Sequence, residues 1–327
     1  MGKRYNVAAV GECLVDVIAD TADGTSVTMT GNAGGAPVNV LAALSRLGKK
    51  TAFLGKLSRD AFGAYLKRVL EDNGIDVSGA VYTDLPTTLA MVALDEHGDR
   101  SFSFYRKNTA DVEYSEEEIN RDVIDDGEIL HFGTVSMTCE PSRSATLAAV
   151  KYAKERGLKI SFDPNLRMNL WDSPDEPKKW MRAGLEFADY VKLSDDELFY
   201  LTGETDCALG GEKLVQEYGM DFLLITMGAK GCMGFCGGIS AYEPTYDTAC
   251  VDTTGAGDAC WGAALSRISE MSGDVKDADE KKLREILKFS NAAGSLCASK
   301  RGAVNSMASE EEIISCMENV PRLIMKD

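Results

Sequence analysis

Residues 251–265 read VDTTGAGDACWGAAL. Two acids, Asp252 and Asp258, bracket a threonine–glycine turn, and the small residues that follow suit a helix. As a loop entering a helix, Gly255, Ala256 and Gly257 leave backbone N–H groups uncovered. The first helical turn adds unpaired donors and the positive end of the helix dipole. Such a place holds an anion. A phosphoryl group in transfer fits it, because catalysis of that step is mostly positioning and charge stabilisation. Asp258 then stands about one turn in, beside the reacting phosphorus, where it can take the proton from an attacking hydroxyl. A plainer reading stands beside this one: Asp258 merely favours the dipole and Asp252 caps the helix.

A second constellation lies near the start of the chain. Asp16 follows the first apolar run, and AGGAPVNVLAALSRLG opens with Gly34 and Gly35, which let a ligand approach the backbone. Asn39, on the first turn of that helix, both donates and accepts hydrogen bonds. An acid, bare amides and an asparagine suit a polyhydroxylated ligand such as a sugar. The plain alternative is a glycine pair for tight helix–strand packing. Neither usual nucleotide fingerprint is present: there is no G-x-x-x-x-G-K-[ST], and no G-x-G-x-x-G follows the first strand.

These residues need elements to hold them. Apolar runs of β type, NVAAVGE, TAFLGK, EILHFG, LKISFDPN, YVKLS and FLLITMG, alternate with helical patterns such as DAFGAYLKRVLEDNG, SRSATLAAVKYAKERG and GEKLVQEYG. Continuous apolar strands separated by amphipathic helices predict an α/β fold with a parallel sheet covered on both faces. Ligands of such sheets sit beyond the carboxyl ends of the strands. Residues 14–33 and 87–106 break the pattern. The second reads as a hairpin around DEHGD, and the two together predict extra strands forming a lid, or else an ordinary edge hairpin. After residue 252 the chain turns helical, with LREILKFSNAAGSLCASK the clearest case. Ser115 with Glu118 and Ser309 with Glu312 read as capping boxes.

Composition narrows the function classes. The 327 residues carry a net charge of −17, which argues against nucleic acid or an anionic membrane as partner. No apolar run approaches the ~20 residues needed to cross a bilayer, and the N-terminus reads as a first strand rather than a signal peptide. The nine cysteines are scattered without a C-x-x-C pair, so they read as reduced, mostly buried thiols of a cytoplasmic protein. His97 falls in the DEHGD turn and reads as exposed. His131, in EILHFG, reads as buried and neutral.

The early GGAPVNVLAALSRLG and the late DTTGAGDACWGAAL, about 220 residues apart, resemble the ribokinase-like (PfkB-type) sugar kinases. The resemblance covers essentially the whole chain, including FDPNLR, KLSDDE, TMGAKG and NAAGSLCASKRGA, and GGAP with FSFYR and FDPNLR is most similar to the fructokinase branch. It implies one Rossmann-like three-layer α/β/α domain over residues 1–327, with a small β lid that often forms a homodimer contact. It implies transfer of the ATP γ-phosphate to a sugar hydroxyl with Mg²⁺. Asp258 is then the base, and Gly255, Ala256 and Gly257 form the anion hole. Asp16, Gly34, Gly35 and Asn39 hold the sugar, Phe104 lines its pocket, and Arg106 and Arg167 face substrate and phosphate. On the nucleotide side the resemblance implies Thr226, Gly228, Gly231 and Asn291, with Lys192 and Glu197 near phosphate and Mg²⁺. Glu197 also reads as a capping box with Ser194. Asp252, Thr254, Cys297, Lys300, Gly302 and Ser306 match a potassium site found in some relatives.

Two departures bear on the sugar rather than the reaction: GNAGG stands where fructokinases commonly have Asn-Pro before the double glycine, and KLSDDE lacks the Asn-x-x-Glu of ribokinases. A ketohexose such as fructose is the leading expectation. 2-Keto-3-deoxygluconate is the close alternative, because arginines also pair with a carboxylate; ribose or a nucleoside fits FSFYR less well. From other classes, a silent sugar or nucleotide sensor is opposed by the intact Asp258 and glycine loop, and a dinucleotide oxidoreductase by the missing fingerprint.

Overall fold

In the computed structural model, residues 2–23, 25–94 and 100–324 are described; His97 and the rest of its turn lie outside them. Nine strands form one sheet in the order Ile239–Glu243, Cys232–Cys236, Phe222–Thr226, Tyr190–Ser194, Lys159–Phe162, Gly127–Phe132, Tyr5–Val10, Thr51–Ser58 and Ile75–Thr83. All neighbouring pairs are parallel except those made by Cys232–Cys236, which runs antiparallel to both its neighbours. The apolar strands are buried on both faces because alternate side chains enter different cores. Val7 and Ala9 join helices Ala36–Arg46, Ala61–Asp72, Ala256–Ser269 and Glu280–Ala298. Ala8 and Val10 join helices Ser142–Glu155, Glu176–Leu185, Asp195–Thr202 and Cys207–Tyr218. Helix, sheet and helix make the three layers that the strand–helix alternation predicts.

The two segments that break the alternation form a separate sheet of four strands, in the order Ser26–Gly34, Leu14–Asp23, Leu89–Leu94 and Arg100–Tyr105. Its register matters for chemistry. Asp16 pairs with Ala90, and Ala90 with Phe104, so Asp16 and Phe104 stand on one rung and face the same side. Strand pairing sets Gly34 opposite Leu14 and Asp16 opposite Asn32, and the Asp16 side chain reaches toward Gly34: a Cβ there would lie 2.2 Å from Asp16 Oδ2, so only glycine leaves room for the carboxylate.

The capping boxes at Ser115, Ser194 and Ser309 are all present. His131 is 1% exposed, its Nδ1 lies 2.9 Å from Ser161 Oγ, and burial lowers its pKa to about 3, so it is a neutral core residue. Six of the nine cysteines are buried and all nine are free thiols.

Candidate active site

A cavity of about 420 Å³ opens beyond the carboxyl ends of the central strands and under the small sheet, with Glu12, Asp16, Phe104, Arg167, Lys192 and Asp258 among its walls. Asp258 is the third residue of helix Ala256–Ser269 and is 7% exposed. Asn39, on the first turn of helix Ala36–Arg46, donates from Nδ2 to Asp258 Oδ2 at 2.8 Å. Thus a carboxylate from the late motif and an amide from the early one meet across 219 residues of chain. Lys192, from strand Tyr190–Ser194, pairs at 2.8 Å with Asp163, which stands just past strand Lys159–Phe162.

Burial raises Asp258 to about 6, with the charge of Asp163 adding to it and Lys192, the Asn39 hydrogen bond and Arg167 holding it back. Asp16 is also raised to about 6, first by burial and against the pull of Arg167. Lys192 titrates above its usual range: burial works against its charge, and the carboxylates of Asp163, Glu197 and Asp258 outweigh that. The arrangement is a fixed cation beside a carboxyl whose proton affinity lies close to neutrality. Such a carboxyl can accept a proton from a hydroxyl and later release it.

The glycine turn closes one side of this cavity. Gly255 has φ 77°, and a Cβ there would come within 2.7 Å of the Ala303 side chain. On Gly257 a Cβ would press on Lys192 at 3.2 Å, so its absence keeps the helix N-terminus against the cation. On the far side of Gly257 lies a second cavity of about 360 Å³. Thr253 and Gly257 line both. The second has a largely uncharged wall that includes Thr226, Gly228, Gly231, Ala256, Asn291 and Ala298. Asn291 donates from Nδ2 to the Glu243 carbonyl at 2.9 Å, tying helix Glu280–Ala298 to the loop that frames the cavity. A wall of this size and polarity accepts a flat, apolar ring system.

The model of the pfkB family carbohydrate kinases matches residues 4–310. The chain belongs to the pfkB family of carbohydrate kinases. It is similar to fructokinase-1 of Oryza sativa subsp. japonica, 40% identical over 327 residues, covering 97% of this chain and 99% of that one. Among solved structures it resembles the fructokinase with bound ATP from Xylella fastidiosa, with TM-score 0.88, 31% identity and coverage of 96% and 98%. It also resembles a double-mutant fructokinase from Vibrio cholerae O395 in fructose-, ADP- and potassium-bound form, with TM-score 0.85, 30% identity and coverage of 97% and 99%. The ribokinase-like fold with its small second sheet and the sugar phosphotransferase class expected from the motifs are therefore those of the family.

Within this pfkB-family frame, Asp16, Gly35, Asn39, Phe104, Arg167, Gly255, Gly257 and Asp258 come together in the first cavity. Thr226, Gly228, Gly231 and Asn291 come together in the second. Three expectations change. Arg106 does not line the cavity; its Nε is bound to Asp111 at 2.7 Å and its Nη1 to Thr138 at 2.6 Å, so it braces the wall from behind. Glu197 is turned inward, with Oε2 accepting from Ser194 N and Oε1 from Leu166 N, so both oxygens are committed to backbone. Lys192 is unchanged in kind: it lines the first cavity, against Gly257 of the glycine turn. Asp252 is not the helix cap, which is Gly255; its carboxylate accepts from Thr254 N at 2.8 Å and Gly302 N at 3.2 Å. The amide of Ala256 is turned back to Thr253 O at 3.2 Å, which narrows the exposed anion-binding donors of the turn toward the two glycines.

Two residues were not singled out from the motifs. Asp163 supplies the counter-charge to Lys192. Glu12 is 2% exposed and its Oε1 accepts from Ala36 N at 3.0 Å, doing for this helix what its N-cap, Gly35, has no side chain to do. Burial raises Glu12 to about 7, with Arg106 pulling the other way. Asp163 directly follows the carboxyl end of a strand and Glu12 stands two residues past one, and that position is the signal that finds them.

Proposed function

We propose that this carbohydrate kinase transfers the γ-phosphate of ATP to a hydroxyl of fructose, with Asp258 as the base. One observation carries the reading. Asp258 faces the polar cavity and is hydrogen-bonded to Asn39, and its neighbour Gly257 lines both that cavity and the uncharged one. Sugar in the first and nucleotide in the second would meet at this glycine. Asp258 takes the hydroxyl proton as the sugar oxygen bonds to the γ-phosphorus, and the bond to the β-phosphate oxygen breaks to leave ADP. The amides of Gly255 and Gly257 and the Lys192 and Arg167 side chains offset the charge on the group in flight. Mg²⁺ carried in with the nucleotide would supply charge to neutralise its phosphates. Asp16 and Asn39 orient the sugar, and Phe104 packs against its carbon face.

The fructose- and potassium-bound relative supports two finer readings. Fructose is favoured over 2-keto-3-deoxygluconate by the similarity to named fructokinases. Monovalent-cation binding is proposed at Asp252, Thr254, Cys297, Lys300, Gly302 and Ser306. Among the described residues no cluster of three or more His, Cys, Asp or Glu could hold a metal, so such an ion would rest on one carboxylate and backbone oxygens, a hard-oxygen set. The small sheet, where Met29 is 50% and Tyr105 66% exposed, is proposed as the homodimer contact. The testing experiment is a coupled ADP-release assay across fructose, 2-keto-3-deoxygluconate, ribose and tagatose. Fructose should give the highest kcat/KM; a preference for the keto-acid would replace the substrate while keeping the reaction.

A further inference from the structure

The segment that follows the last helix, Glu310–Asn319, does not trail into solvent. It turns back along residues 244–247, which frame the second cavity. Leu323 N donates to Thr245 O at 2.9 Å, Asp247 N donates to Pro321 O at 2.9 Å, and Tyr246 and Arg322 form an antiparallel bridge. Arg322 pins the turn. Its guanidinium lies 3.8 Å above the Tyr246 ring, Nη1 donates to Pro244 O at 2.9 Å, and Nη2 lies 3.5 Å from the buried carboxylate of Glu243. Leu323 thereby becomes part of the cavity wall, together with small residues such as Ala229, Ala256 and Ala298. Ile324, the next residue, is 83% exposed and does not line the cavity. The matched family span stops at residue 310, so this wall is built from chain outside it.

We propose that residues 321–323 form the outer wall of the base subsite of the nucleotide cavity, with Leu323 packing on the face of the purine and Arg322 latching it in place. The proposal rests on reading the second cavity as the nucleotide site. Its chemistry is apolar: an aliphatic side chain against an aromatic face gains from area removed from water and makes no demand on the phosphates. The wall therefore sets how long nucleotide stays, and leaves the transfer step to the first cavity.

The test uses the full chain carrying Leu323→Ala, Leu323→Met, Arg322→Ala or Ile324→Ala. The readouts are steady-state constants for ATP and fructose, calorimetric binding of ADP, and the melting temperature without ligand. Leu323→Ala should raise the ATP KM and the ADP Kd about ten-fold, the order expected for losing one side chain's apolar contact, while kcat and the fructose KM stay within two-fold. Leu323→Met should restore most of the affinity, and Ile324→Ala should change nothing. Arg322→Ala should weaken ADP in the same direction and lower the melting temperature. Wild-type protein that binds ADP with an affinity matched by Leu323→Ala overturns the wall alone. Wild-type protein that binds no ADP overturns the nucleotide reading and the wall with it.

Discussion

On one side of Gly257 the walls carry Asp16, Asp258, Lys192 and Arg167; on the other they carry Thr226, Ala229, Ala256, Asn291 and Ala298. The charged cavity draws its groups from the small sheet, two helices and the ends of two strands, and those groups shift one another's pKa values. The uncharged cavity is framed by the turn at 226–231, the loop at 245–253, two packed helices and the returning C-terminal segment. On the proposed function, the contrast separates two tasks. Moving a proton and a phosphoryl group needs charges fixed in a dry place, whereas holding a planar base needs shape and apolar area. Damage to the first side should therefore appear in kcat and pH dependence, and damage to the second in nucleotide affinity.

The largest effect expected from breaking that division is at Lys192. Lys192→Met removes the cation between Asp163 and Asp258 and leaves Asp163, 1% exposed, without its partner. Loss of one member of a buried pair should destabilise the fold by about 3–5 kcal/mol, read by chemical denaturation. The same variant should lose at least about a hundred-fold in kcat, since it removes a preorganised charge at the reacting group. Smaller and more selective is Gly34→Ala, whose Cβ would collide with Asp16. The fructose KM should rise about ten-fold while the ATP KM holds, because only one cavity is disturbed. An equal rise in both would merge the two sides. The smallest effect is in wild-type protein. Asp258 acts as a base only when ionised, and its pKa is raised to about 6. Activity is then complete well above that pH, half lost near it, and falls about ten-fold per unit below as the carboxylate takes a proton. The limb also contains Asp16, raised to about the same value. A pH profile of kcat/KM for fructose that stays flat to pH 4.5 would contradict the assignment.

The two sides were not equally legible in the sequence. The strand YVKLS coincides with Tyr190–Ser194, because a short, mostly apolar run between two helical patterns suits a buried strand even with Lys192 inside it. The edge hairpin Cys232–Cys236 and Ile239–Glu243 escaped that pattern, because neither strand is the long apolar run of a central parallel strand. Its own signal lies in the turn: Gly237 and Gly238 both take positive φ, as a two-residue hairpin of this kind requires. Gly255, Gly257 and the proposed base Asp258 were readable from local chemistry, because all three sit at the N-terminus of one helix. Arg106 was not, since its capture by Asp111 and by Thr138 brings together groups from separate segments. Leu323 was unreadable for the same reason: a lone aliphatic near the end of a chain says nothing of the loop it will pair with.

The central claim is that Asp258 takes the proton of the attacking hydroxyl, and Asp258→Asn tests it most directly. The substitution keeps the shape of the side chain and removes the base. Single-turnover transfer from ATP to fructose should slow by about 10²–10⁴-fold, the usual contribution of a positioned base, with ADP affinity unchanged. A transfer rate within a few-fold of wild type would show that the proton leaves by another route.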